Sequence, residues 1–128
     1  MPIPSVKFDP EGADLSVSIA FKTPQVVRYE LELLARTSNT DLLDVTGDNQ
    51  NEADDDYPLP TPVALNDGRR IYCGFTFIDP RSKPSGPYRA DVIVKQGKAT
   101  LVTLSATGTM TKHDEEYLVV AKLVADRT

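Results

Sequence analysis

Alternation of apolar and polar residues with a period of two runs through most of this chain, and that spacing suits half-buried β-strands rather than helices. Leu15, Val17, Ile19 and Phe21 alternate with Asp14, Ser16, Ser18 and Lys22, and Val27, Tyr29, Leu31 and Leu33 with Arg28, Glu30 and Glu32. Ile71, Cys73, Phe75 and Phe77 make a third inward row, and Tyr88, Ala90, Val92 and Val94 a fourth, opposed by Arg89, Asp91 and Lys95. Two further strands are predicted near 100–106 and 116–125, and Val6 and Phe8 mark a short first one. Strands this short, punctuated by turn residues, bury their apolar faces by stacking two sheets. The expected fold is all-β: an antiparallel β-sandwich of about seven or eight strands. At 128 residues the chain suits one domain spanning 1–128.

One segment admits a second reading. Thr23-Pro24 would cap a helix running to Arg36, with Thr at the N-cap and Pro at the first helical position. On a helix the apolar residues of 24–36 spread over more than half the circumference, whereas on a strand they separate from the charges. Asn66-Asp67-Gly68, between Val63/Leu65 and Ile71, predicts a hairpin, and Gln96-Gly97-Lys98 another. Pro58, Pro60 and Pro62 recur every second residue. In an extended chain they strip the donors from one edge and leave Leu59, Thr61 and Val63 to pair on the other, which suits a protected edge strand. A polyproline-like connector has the same spacing.

The run Ser85-Gly86-Pro87-Tyr88-Arg89-Ala90-Asp91-Val92 resembles the start of strand F in immunoglobulin-like and fibronectin-like domains. There a tyrosine after a Gly-containing turn ties the corner to nearby backbone, and a core residue follows two places on. Ala90 stands where antibody domains keep a cysteine, and the chain has no Trp. The resemblance implies an immunoglobulin-like sandwich and carries no ligand with it, because that fold hosts many functions.

Charge is unevenly placed. Asp41, Asp44, Asp48, Glu52, Asp54, Asp55 and Asp56 give residues 41–56 seven negative charges and no Lys or Arg, against a net charge of −5 for the chain. The expectation is a long acidic loop over about 41–57. A polyanion partner needs a basic stripe, so nucleic acid is not an expected partner. The start of the chain has no apolar signal-like run and no stretch approaches the ~20 residues of a membrane span, which predicts a soluble, cytoplasmic protein with no membrane partner.

Residues able to carry chemistry are few. His113, the one histidine, sits among Lys112, Asp114 and Glu115 and reads as a turn residue; Cys73, the one cysteine, holds an inward strand position and reads as a small hydrophobe. No nucleophile–base pair is visible, so no enzyme is expected. One His and one Cys are too few for a zinc or copper site. Hard oxygens are plentiful, and Asp44, Asp48, Asp54 and Asp56 are the candidate ligands for Ca²⁺, without the spacing of the helix–loop–helix calcium loop. No other cofactor is indicated.

The C-terminal strand departs from the simple pattern. Tyr117, Val119, Ala121 and Leu123 share one face, while Leu118, Val120 and Val124 share the other around Lys122. Leu101, Val102 and Leu104 are likewise apolar on both faces. A sandwich strand needs one apolar face only. With the bulkier set inward, Leu118, Val120 and Val124 become a candidate interface to a protein partner or to a second copy in a homodimer. The expected function is therefore a non-enzymatic binding or assembly module, with a calcium-dependent module built on the acidic segment as the alternative.

Overall fold

A computed structural model describes residues 3–50 and 55–127. Among these the chain forms nine strands: β1 (Ser5–Phe8), β2 (Leu15–Phe21), β3 (Val26–Leu34), β4 (Asp41–Asp48), β5 (Asp56–Pro58), β6 (Arg70–Ile78), β7 (Pro87–Gln96), β8 (Ala99–Thr109) and β9 (Asp114–Ala125). One sheet runs β1-β9-β6-β3-β4 and the other β5-β2-β7-β8. The inward rows meet between them: Val17, Val27, Leu31, Cys73, Phe75, Phe77, Val92, Ala121 and Leu123 are all buried there. No helix among the described residues is long and apolar enough to cross a membrane.

The two-sheet, all-β architecture follows from the alternating rows, and 26–34 is a strand paired on both sides. Several finer expectations need correction. The first sheet is mixed, because β1 lies parallel to β9 from Ser5↔Lys122 to Phe8↔Ala125. The described residues form nine strands, against the seven or eight expected. The acidic segment is not one loop over 41–57: Asp41–Asp48 is strand β4 and Asp56–Pro58 is β5. Its acid content hides a period-two pattern. Leu43 and Val45 pack against the core while Asp44 and Thr46 are exposed on the opposite face.

Asn66-Asp67-Gly68 does not close a hairpin. Val63–Asn66 is a short 3₁₀ turn, and the buried Asn66 amide donates to the carbonyls of Pro60 (2.9 Å) and Val63 (3.2 Å). Gly68, at φ 84°, then gives its N–H to the Leu123 carbonyl at 2.7 Å. Of the three spaced prolines only Pro58 lies in a strand, the sheet-edge β5; the Leu59 N–H does pair, with the Leu15 carbonyl at 2.9 Å. Thr61 and Val63 lie beyond the ladder.

Tyr88 stacks on Phe77 with ring centroids 4.2 Å apart. Its hydroxyl lies over Gly108, its cross-strand partner on β8, rather than over the Gly86 turn. Tyr29 is held the same way above Gly47 of β4. In each pair a glycine on an outer strand leaves the space that a neighbouring tyrosine ring fills.

The apolar faces of β8 resolve within the domain. The ladder to β7 shifts between Val94↔Val102 and Lys95↔Thr100, so Leu101 is the extra residue of a β-bulge. Leu101, Val102 and Leu104 all pack against the core. On β9 the pairing with β6 is unbroken from Asp114↔Ile78 to Lys122↔Arg70, so no bulge is available to turn the second face inward.

Candidate functional site: the uncovered half of β9

On β9, Val119, Ala121 and Leu123 are buried, and Leu118, Val120 and Val124 occupy the opposite, outer face. Leu118 is 57% exposed, while Val120 and Val124 are half-buried. The difference has a local cause. Val120 stands beside Tyr72 of β6, whereas Leu118 stands beside Gly74, which has no side chain to cover it. A methyl group built on Gly74 meets nothing within 4 Å. The gap opens into a trough of about 930 Å³ on the outer face of the first sheet, lined by Arg28, Glu30, Thr46, Gly74, Thr76 and Leu118 among others. Tyr117 shares parity with the buried row but lies near the strand's outer end and is 37% exposed.

The edge of β9 is divided. Lys122 and Asp126 give their N–H groups to β1, at the carbonyls of Pro4 (2.9 Å) and Phe8 (2.8 Å). Leu123 N–H points the other way, to Arg69. By the same alternation the N–H and C=O groups of Glu116, Leu118 and Val120 point away from β6. β1 starts at Ser5 and pairs from Lys122 onward, so among the described residues these groups have no strand beside them. Next to them a cleft of about 470 Å³ opens between the sheets, lined by Pro4, Thr103, Leu104, Tyr117, Val119 and Val120 among others.

Of the candidate calcium ligands, Asp44, Asp48 and Asp56 are not brought together. Asp44 and Asp48 lie on one strand four residues apart, about 13 Å at strand rise. That is far beyond what one ion bonded at about 2.3–2.6 Å spans. Asp56 is on β5 in the other sheet, where it accepts from the Ser18 hydroxyl at 2.8 Å. Asp54 lies outside the described residues. The carboxylates that do approach are Glu30, Glu32 and Asp44, within 4.8 Å of one another on the open sheet face. Hydrogen bonding to Asp44 and its charge push the Glu30 carboxyl up, and burial and Asp41 push Glu32 up. Sequence reasoning missed this trio because Glu30 and Glu32 belong to a different strand from Asp44; the β3–β4 register joins them.

Other polar groups brace the sandwich. Tyr29 shares its hydroxyl with Asp55 and Tyr57, both at 2.5 Å, tying β3 to β5 across the sheets. Burial and the Asp55 carboxylate raise its ionisation well above the ordinary phenol range. Asp79, its side chain 3% exposed, takes a two-pronged contact from Arg81, which holds its carboxyl far below the usual range. His113 sets Nδ1 3.0 Å from the Asp79 carbonyl, a turn contact. Cys73 is buried and its thiol is pushed up to about 12 by burial. A thiol so protonated is inert as a nucleophile. Asp91 is buried on the outer side of β7; burial alone would raise its carboxyl, but Ser105, Arg89 and Lys22 outweigh burial and hold it low.

Comparison of the chain with protein-family models, with curated proteins and with solved structures finds no match.

Proposed function

We propose that this domain is a non-enzymatic assembly module that makes protein–protein contacts through the first half of β9. The observation that carries this is Leu118: a large apolar side chain, more than half exposed, beside a glycine gap and on a strand edge that no described strand pairs with. Isolated exposed leucines are ordinary. Leu118 differs in adjoining Val120 on one face, Tyr117 on the other and an apolar cleft at the seam. Covering such a patch removes apolar surface from water at about 25 cal/mol per Å². The buried Tyr88 ring after the Gly86 turn supports reading the domain as an immunoglobulin-like scaffold, although its hydroxyl lies over Gly108 rather than over that turn. The calcium alternative has less support: Glu30, Glu32 and Asp44 bring one oxygen each to a common point, against the six to eight the ion takes.

Val120→Lys tests the proposal, because Val120 lies on the outer face and its replacement leaves the buried row intact. Light scattering should show an assembly for the parent chain and a folded monomer for the variant. A parent that stays monomeric at high concentration and a Val120→Lys variant that changes nothing would refute it.

A further inference from the structure

Resting on that reading, we propose that the partner is a second copy of this chain, joined edge to edge by antiparallel β9–β9 pairing about a two-fold axis at Leu118, which sets Leu118 opposite Leu118 and Glu116 opposite Val120. The two five-stranded sheets would then run on as one.

Three observations point to this occupant. The first is the stretch of edge left unpaired among the described residues. Glu116, Leu118 and Val120 present N–H and C=O groups on one edge, bounded by Pro4 at one end and the turn through His113 at the other. A gap of this length admits a short strand, and an unpaired edge is a template for one. Antiparallel self-pairing lets the same residues serve both copies, as an isologous contact requires.

The second is the cleft. A strand added beside β9 carries inward side chains that need a place between the sheets, and the seam lined by Leu104, Tyr117 and Val119 provides it. In a self-paired dimer those inward side chains are Tyr117 and Val119 of the second copy, and the half-exposed Tyr117 ring becomes covered on both sides of the axis. Leu118 of each copy meets the other on the outer face, beside the gap at Gly74.

The third is charge. The β9 strand starts acidic, with Asp114, Glu115 and Glu116, and turns basic at Lys122. Antiparallel pairing directs the acidic end of each strand toward Lys122 of the other. Parallel pairing would set acid against acid, which is destabilising between neighbouring strands.

Leu118→Pro tests the edge when read against Leu118→Ala, which loses the same side chain and keeps the N–H. Leu118 N–H faces away from β6, so proline removes one donor from the free edge and none from the β6–β9 ladder, the one place in a sheet where it is tolerated. Sedimentation of the parent chain should show a concentration-dependent dimer, and the Leu118→Pro variant should sediment as a monomer with unchanged circular dichroism. Hydrogen exchange on the parent gives an answer that does not depend on any variant folding. The amides of Glu116, Leu118 and Val120 should slow at least tenfold from low to high protein concentration. A dimer that survives Leu118→Pro but dissolves with Val120→Lys would overturn edge pairing and leave assembly through the outer face in place. A parent chain monomeric throughout, with those three amides fast at every concentration, would overturn self-pairing outright.

Discussion

The same substitution, Gly→Ala, should have opposite signs at two positions, and the sign follows from what a methyl group would meet. At Gly108 the added carbon lies 2.8 Å from Tyr88 Cε2, with Cζ and the hydroxyl oxygen closer still. The ring cannot swing away, because it stacks on Phe77 at 4.2 Å and Phe77 is fully buried. Overpacking of this kind costs about 1–3 kcal/mol. Removing a strand glycine returns roughly 0.5–1 kcal/mol of backbone entropy. Gly108→Ala should therefore destabilise by about 1–2 kcal/mol. At Gly74 the methyl meets nothing within 4 Å, so only the entropic gain remains, and Gly74→Ala should stabilise by about 0.5–1 kcal/mol. Urea unfolding reads both. With a slope of roughly 1–3 kcal/mol per molar, the two midpoints should separate on either side of the parent's by several tenths molar or more. A Gly108→Ala variant as stable as the parent would refute the packing of Tyr88 over β8; a destabilised Gly74→Ala variant would refute the open gap beside Leu118.

Tyr29→Phe removes the hydroxyl that Asp55 and Tyr57 share, and thermal unfolding should report a loss of about 1–2 kcal/mol, the scale of hydrogen bonds to a partly exposed charge. Glu30 and Glu32 have folded values raised above those of the unfolded chain, so their contribution to stability improves as pH falls through the raised values toward the ordinary glutamate range near 4.3. Glu32→Gln should raise stability at pH 7 and flatten that improvement; a variant with the parent's pH profile would show that the carboxylates do not interact. Asp91 has the opposite sign: its folded value is depressed, so its contribution is present above the ordinary aspartate range near 3.9 and lost as pH falls below it. Asp91→Asn should therefore lower stability at pH 7 and be less sensitive to acid below pH 4, a difference visible in paired melting curves.

The inward rows of β2, β3, β6 and β7 were legible because each strand carries its own period-two code, and a code of neighbouring residues survives without knowledge of the fold. The outward side of β9 was legible for the same reason, once Val119, Ala121 and Leu123 claimed the core. The acidic segment was misjudged because seven carboxylates outweigh Leu43 and Val45 in composition, while in the sheet those two side chains decide the conformation by packing on the core.

What depended on pairing between distant segments lay beyond the sequence. Alternation says that Leu118 points outward; only the β6–β9 register sets Gly74 beside it and leaves it bare. Alternation equally says that Leu101 faces out; a one-residue shift against β7 returns it to the core. Among the described residues, the edge left open on β9 follows from where β1 begins its ladder, at Ser5 opposite Lys122. Side-chain direction along a strand is local, set by the backbone's two-residue repeat. Which strand lies alongside, in what register and over what length, is settled by the packing of the whole domain.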